Sequence, residues 1–99
     1  MANTGKVVIV YYDGGFIVDP GHRHAVPGED VIWKAIGTKV TLLFPDAELF
    51  GTRDLVIEAN GEGKLTVQGV QPGIYPYAVY VHEENDFARG GTHPAMIIE

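Results

Sequence analysis

The sequence predicts an all-β sandwich. Short apolar runs of strand length follow one another along the chain, and none shows a useful stretch of the 3.6-residue period of a helix. Thirteen glycines and six prolines separate these runs, and turn signals recur about every eight to twelve residues, a spacing typical of β-sandwiches and barrels. With 99 residues, the chain is expected to form a single domain, residues 1–99.

Seven or eight of the apolar runs are expected to be strands. The run 40–44 shows the alternation of a strand with one buried face, because Val40, Leu42 and Phe44 are separated by Thr41 and Leu43. The remaining runs with strand character are 6–12, 16–18, 22–26, 31–36, 55–59, 64–68, 74–82 and 94–99.

Three local signals refine this pattern. The turn sequence at 60–63 predicts a hairpin between 55–59 and 64–68. Pro76 interrupts the longest run, which implies an edge or a bulge there. Segment 46–54 is the one place where the composition tolerates a helical turn.

Composition excludes several classes of function. The net charge is −6 and lysines and arginines are not clustered, so we expect no nucleic-acid partner and no attraction to an anionic membrane. The chain has no cysteine and no serine, which removes disulfides, thiolate ligands and the usual hydroxyl and thiol nucleophiles. We therefore expect no catalytic residues and no enzyme activity.

The first residues lack the basic head and apolar stretch of a signal peptide, and no apolar run approaches the roughly 20 residues that span a bilayer. A soluble, acidic, cytoplasmic protein is expected, although a chain trimmed of its leader would read the same way.

Two stretches carry motifs that go beyond ordinary turn signals. Residues 26–33 read Val-Pro-Gly-Glu-Asp-Val-Ile-Trp, and residues 63–82 contain Pro72-Gly73-x-Tyr75-x-Tyr77 followed by Val79-x-x-His82. These stretches resemble the cupredoxin family of blue-copper domains, the first its turn before a central strand and the second its later pair of strands. The glycine-containing end 91–98 is similar to the family's closing loop and strand, so the likeness covers about 26–99. The resemblance implies a Greek-key β-sandwich of two sheets with seven to eight strands.

The family's copper ligands are two histidines, one cysteine and a weak axial ligand. In this chain the first histidine position falls near Gly37 or Thr38, the cysteine position is Val79, and the axial position falls near Thr92. Only His82 matches. Because a thiolate gives the blue-copper site its affinity and electronic coupling, the sequence predicts a cupredoxin-like domain that does not transfer electrons through copper.

Two functions remain open. The first is a protein-binding or assembly module without a cofactor, with an unknown protein partner or a second copy. A homodimer could form if the first strand and the Ile97-Ile98 strand are exposed edges. The alternative is a Zn or Cu(II) site at His82 and His93, with help from Glu83, Glu84 or Asp86 and from the His22-x-His24 pair.

Alternation also assigns the aromatic residues of the longest run. Tyr75 and Tyr77 share a strand face with Val79 and Val81, and this face is expected to point into the core. Tyr80 lies on the opposite face, where packing under a loop is favoured over an aromatic binding strip.

Overall fold

Eleven short strands form the protein in a computed structural model that describes residues 6–88 and 94–99. In the described part of the chain, no helix is long and apolar enough to cross a membrane. The strands are β1 (Val7–Tyr12), β2 (Gly15–Asp19), β3 (His22–Ala25), β4 (Asp30–Ala35), β5 (Val40–Leu43), β6 (Asp54–Ile57), β7 (Glu62–Thr66), β8 (Gly73–Pro76), β9 (Ala78–Val81), β10 (Asp86–Phe87) and β11 (Ala95–Ile98).

These strands are hydrogen-bonded in three sheets. The first sheet has the order β2-β1-β4-β7, the second β10-β9-β5-β6 and the third β3-β11-β8. The β1–β4 and β3–β11 pairs are parallel, and the other strand pairs are antiparallel. The predicted all-β class is confirmed. Seven to eight strands in two sheets were expected, and the described residues form eleven strands in three sheets, because the run 74–82 is divided into β8 and β9 and the short β10 lies in the polar segment that follows.

The core lies between the first sheet and the other two. Trp33 of β4 is fully buried at its centre, with its ring centroid 5.4 Å from that of Phe50, 5.9 Å from that of Phe44 and 6.1 Å from that of Tyr77. Such edge and tilted contacts suit the quadrupoles of aromatic rings. The only tryptophan therefore joins the first sheet to the segments that flank β5 and β9.

Gly63 permits the close approach of the first and second sheets. A Cβ atom at this position would lie 2.8 Å from Leu55 Cδ2 and 3.0 Å from Ile57 Cδ1. Those side chains belong to β6, so a larger residue at 63 would push β7 away from β6.

The predicted hairpin between 55–59 and 64–68 is wrong. β6 pairs with β5 in the second sheet, whereas β7 pairs with β4 in the first. The turn residues are in place, with Asn60 at φ 64° and the Gly61 N–H donating to Glu58 O at 2.9 Å. The turn therefore carries the chain from one sheet to another, because each strand finds its partner elsewhere.

The structure bears on three other local predictions. The interruption at Pro76 is confirmed, since β8 ends there as an edge strand of the third sheet and β9 begins at Ala78 in the second. Segment 46–54 forms a turn closed by Leu49 N–H donating to Asp46 O at 3.3 Å, with no helix. The inward face of 75–81 is also confirmed, because Tyr77, Val79 and Val81 are buried.

The strands expected to pair with a second copy are not edges. β1 lies between β2 and β4, and β11 lies between β3 and β8. Their backbone groups are already hydrogen-bonded inside this chain, so a second copy cannot add to either strand by edge-to-edge pairing.

Candidate functional site

The resemblance locates a metal centre at the end of β9. In this chain the end of β9 continues into a β-hairpin with β10. Val79 is buried, at 2 % exposure, and Val81 is fully buried opposite Val40 of β5. The chain turns at 82–85 and returns as β10, whose Phe87 lies opposite Tyr80. Ala88 N–H then donates to Val79 O at 2.8 Å. The position of the expected thiolate is therefore an apolar core position within a continuous strand pair.

Thr38 is one of the two residues, with Gly37, near which the expected first histidine falls. Its side chain is buried, at 2 % exposure, and its hydroxyl accepts from Glu83 N–H at 3.1 Å while donating to Lys39 O at 2.9 Å. His82 N–H donates to Lys39 O at 3.0 Å. The hydroxyl and this backbone bond hold the start of the 82–85 turn against the segment that precedes β5.

The imidazole of His82 lies on the outer surface of the second sheet. Its Nε2 is 2.8 Å from Thr41 Oγ1, and its ring meets the Tyr80 ring edge-on at a centroid distance of 5.1 Å. Val79, by contrast, points into the core. The one histidine that matches the ligand pattern is therefore directed to the opposite side of the sheet from the cysteine position.

Solved structures of amicyanin superpose on nearly the whole chain. A Cu(I) form of one Met-to-Ala mutant has a TM-score of 0.61 with 18% identity, covering 98% of this chain and 85% of amicyanin. A reduced Trp-to-Tyr mutant has a TM-score of 0.61 with 17% identity and the same coverage. The fold is cupredoxin-like. No protein-family model and no curated protein sequence matches the chain.

This cupredoxin-like chain does not fit a blue-copper centre. It has no cysteine. Val79 offers only buried methyl groups, and the Thr38 hydroxyl is already bonded to the backbone. The His82 imidazole lies on the outer face of the sheet. A blue-copper site needs two imidazoles and a thiolate around one ion. The prediction that this centre is missing agrees with both the sequence and the fold.

His22 and His24 belong to the third sheet, whereas His82 follows β9 of the second sheet. His22 and His24 are exposed on the same side of β3, an edge strand of the third sheet. His24 Nδ1 is 3.4 Å from Glu99 Oε1. His93 lies outside the described residues, so its pairing with His82 stays a prediction.

The acidic residues predicted to help His82 are Glu83, Glu84 and Asp86, and all are exposed in the 82–87 hairpin. Asp86 Oδ1 accepts from Phe87 N–H at 2.7 Å, which caps the outer edge of β10. Within residues 6–88 and 94–99, no three histidine or acidic side chains are grouped so that they could hold a metal ion.

Tyr80 packs against neighbouring side chains and does not form an exposed aromatic strip. Its ring meets those of His82 and Phe87 edge-on, and its hydroxyl donates to Asn85 Oδ1. Because Asn85 has φ 54°, this bond helps to fix the left-handed turn residue of the hairpin. The expected packing under a loop is confirmed, since Tyr80 packs against the turn and the return strand of its own hairpin and stabilises both.

The outer side of the first sheet is an apolar surface that the sequence interpretation missed. We call this surface the neutral face. Val10 lies opposite Ile17, and Ile36, whose N–H donates to Ile9 O, extends the same row. Tyr12 and Ile36 are 57% and 40% exposed. The apolar residues of the face are Val8, Val10, Tyr12, Ile17, Ile32 and Ile36.

The charged residues of the neutral face balance. Lys6 Nζ lies 2.6 Å from Glu62 Oε2, and Lys64 Nζ lies 3.9 Å from Asp30 Oδ2. The hydrogen bond from Lys6 lowers the pKa of the Glu62 carboxyl. The full set is Lys6, Lys34 and Lys64 against Asp19, Asp30 and Glu62. Three of the chain's four lysines are therefore on this face, and the net charge of −6 lies elsewhere.

The sequence signal for this face is the alternation of Val8, Val10 and Tyr12 along β1. That signal is ambiguous, because Val7 and Ile9 alternate with them and both sides of β1 are therefore apolar. Only the second layer of the sandwich shows which set is covered.

Proposed function

We propose that this domain is a non-catalytic assembly module that docks on a second copy through the neutral face. The observation that supports it most is the apolar, charge-balanced outer surface of the first sheet in a chain whose net charge is −6. Like-charged copies repel one another elsewhere on the surface, so the balanced face is where two copies can approach at the lowest electrostatic cost.

The composition of the neutral face suits a protein interface. An interface has an apolar, aromatic-containing centre and a polar rim. Here Val10, Ile17 and Ile36 form the centre beside Tyr12, while the ion pairs of Lys6 and Lys64 lie toward the other end. Mixed charges at the rim favour one register of association over others.

The size of the molecule also sets a requirement. The domain measures 35 × 22 × 21 Å, so one long side covers about 770 Å² in projection. A standard interface buries roughly 800 Å² on each partner. A dimer of standard size would therefore use most of one long side, with the neutral face as its centre and the turns at the ends of the first sheet's strands as its rim.

The test is sedimentation velocity over a range of protein concentrations. We expect a concentration-dependent monomer–dimer equilibrium for the wild type. The variant Ile36→Glu should weaken it by about tenfold or more, because each copy would bury an unpaired carboxylate. The change is on an exposed side chain, so folding should be retained.

The matched control is Val56→Glu, which alters an exposed valine of β6 on the second sheet. It should leave the equilibrium unchanged. A wild-type chain that stays monomeric at the highest concentrations, or an Ile36→Glu variant that associates as well as the wild type, would retire the proposal.

Zn or Cu(II) binding is the second candidate, and one observation favours it at β3. His24 Nδ1 and Glu99 Oε1 are 3.4 Å apart, and His22 lies two residues away on the same side. An imidazole and a carboxylate suit either metal. This pair would offer two side-chain ligands and leave the other positions to water.

Calorimetric titration with Zn(II) and with Cu(II) separates the possible sites. If the ion binds at β3, His24→Ala should remove the heat of binding and His82→Ala should leave it unchanged, because His82 is bonded to Thr41. Loss of binding in His82→Ala would instead favour the pair His82 and His93. No heat from the wild type would exclude metal binding as the function.

A further inference from the structure

An open apolar pocket of about 170 Å³ lies where the second and third sheets separate. Its lining residues are Pro45, Pro76, Tyr77 and Ala78. Pro76 ends β8 and Ala78 begins β9, so the change of sheet at Tyr77 opens the gap. Pro45 closes the other side, two residues after the end of β5.

The pocket suits one apolar side chain. A dry cavity of about 150 Å³ in another protein holds a benzene molecule, so this one accepts a group of similar size, such as the end of a leucine or phenylalanine. Leu43 lies opposite Ala78 in the β5–β9 pair and is 38% exposed. It extends the apolar surface beyond the pocket, as expected around the anchor of a protein contact.

The segment beside the pocket is acidic. Between 45 and 54 it carries Asp46, Glu48 and Asp54 against Arg53. Asp46 Oδ1 accepts from Glu48 N–H at 2.9 Å, and Asp54 lies opposite Leu43. Acidic groups beside an apolar pocket favour a partner with an apolar anchor and basic neighbours, and the net charge of −6 attracts such a partner over longer range.

We propose that this pocket binds a basic peptide segment through one large apolar side chain. This site is separate from the neutral face, because the pocket is formed by the second and third sheets whereas the neutral face is the outer side of the first. A dimer formed through the first sheet would leave both pockets accessible and would be bivalent for the peptide segment.

The protein contains its own reporter for this site. Trp33 is the only tryptophan, and its Nε1–H donates to the hydroxyl of Tyr77 at 3.2 Å. Since Tyr77 lines the pocket, a ligand that shifts the Tyr77 ring should change the fluorescence of Trp33.

The experiment is a selection from a random heptapeptide phage library on the folded domain. Enriched peptides are then synthesised and their dissociation constants measured from Trp33 fluorescence. We expect the enriched sequences to share one large apolar residue flanked by lysine or arginine. Enrichment of acidic or uncharged sequences, or no enrichment, would overturn the proposal.

Two variants test where the selected peptides bind. Ala78→Phe fills the pocket from an outward-facing position and should weaken binding by about tenfold to a hundredfold, the range expected from losing one buried apolar side chain. Val56→Phe makes the same kind of change on the same sheet outside the pocket and should bind normally. Equal affinity for Ala78→Phe would show that the pocket is not the site.

Charge and assembly are tested separately. The double variant Asp46→Asn, Asp54→Asn should bind the basic peptides several-fold more weakly at low salt, with the difference shrinking at high salt. Ile36→Glu, which removes the proposed dimer contact, should keep the wild-type affinity for each pocket. Failure of the assembly proposal therefore leaves the pocket proposal standing, and the reverse also holds.

Discussion

Replacing Arg23 by alanine should lower the free energy of unfolding by about 3–5 kcal/mol, the cost of breaking a buried ion pair from one side. Arg23 is 1 % exposed, and its Nη2 lies 3.3 Å from Glu29 Oε2. Its Nη1 also donates to His24 O. The variant would leave the mostly buried carboxylate of Glu29 without its guanidinium.

The measurement is urea unfolding followed by Trp33 fluorescence, with the double variant Arg23→Met, Glu29→Gln as control. Methionine replaces much of the buried volume of arginine. Glutamine keeps a side-chain oxygen that can accept the hydrogen bond that Val26 N–H now donates to Glu29 Oε1, at 3.1 Å. With both charges removed, most of the stability should return. A single variant as stable as the wild type would show that the pair does not hold β3 to the turn before β4.

Raising the pH above 10 should destabilise the domain by about 2–3 kcal/mol through Tyr77 alone. Burial raises the pKa of the Tyr77 hydroxyl to about 12, although the hydrogen bond with Trp33 opposes the rise. A group whose pKa is higher in the folded state contributes its full stabilisation below the unfolded pKa. That contribution is therefore constant up to about pH 10 and is lost as the pH rises through 12.

Thermal or urea unfolding between pH 8 and 12 measures this loss, and Tyr77→Phe is the matched variant. Phenylalanine keeps the ring that packs on Phe44 and Trp33 but has no titrating hydroxyl. It should be less stable than the wild type at pH 8, by about 1–3 kcal/mol, because Trp33 Nε1–H loses its acceptor. Its stability should depend less on pH above 10. Parallel curves for the two proteins would contradict the assignment.

Strand positions and inward faces were predictable because they depend on local alternation. Tyr77, Val79 and Val81 were correctly expected to share the buried face, since side chains on a strand alternate between two sides. The break at Pro76 was also predictable, because proline lacks the N–H that a central strand needs.

Strand partners were not predictable in the same way. Residues 60–63 carry strong turn chemistry, yet the strands on either side belong to different sheets. A turn sequence determines only that the chain reverses. Whether its flanking strands pair with each other depends on competing partners far away in the sequence, here β5 and β4.

The candidate site shows the same division. The resemblance assigned the cysteine position to Val79 and a matching histidine to His82, but strand alternation alone could not show that the His82 ring is bonded to Thr41. The pocket at Pro45 and Pro76 has no sequence signature, because its residues come from two separate segments that meet where two sheets separate.

The sequence by itself determined that the protein is built from β-strands and that no thiolate redox centre can form, because both follow from residue types and their two-residue alternation. Only the tertiary structure decided which face of β1 is covered, which strands are edges and which side chain the His82 ring bonds to. Alternation does not identify the covered side where both sides of a strand are apolar. That choice depends on pairing between distant segments, and it left the neutral face and the pocket on the surface of the domain.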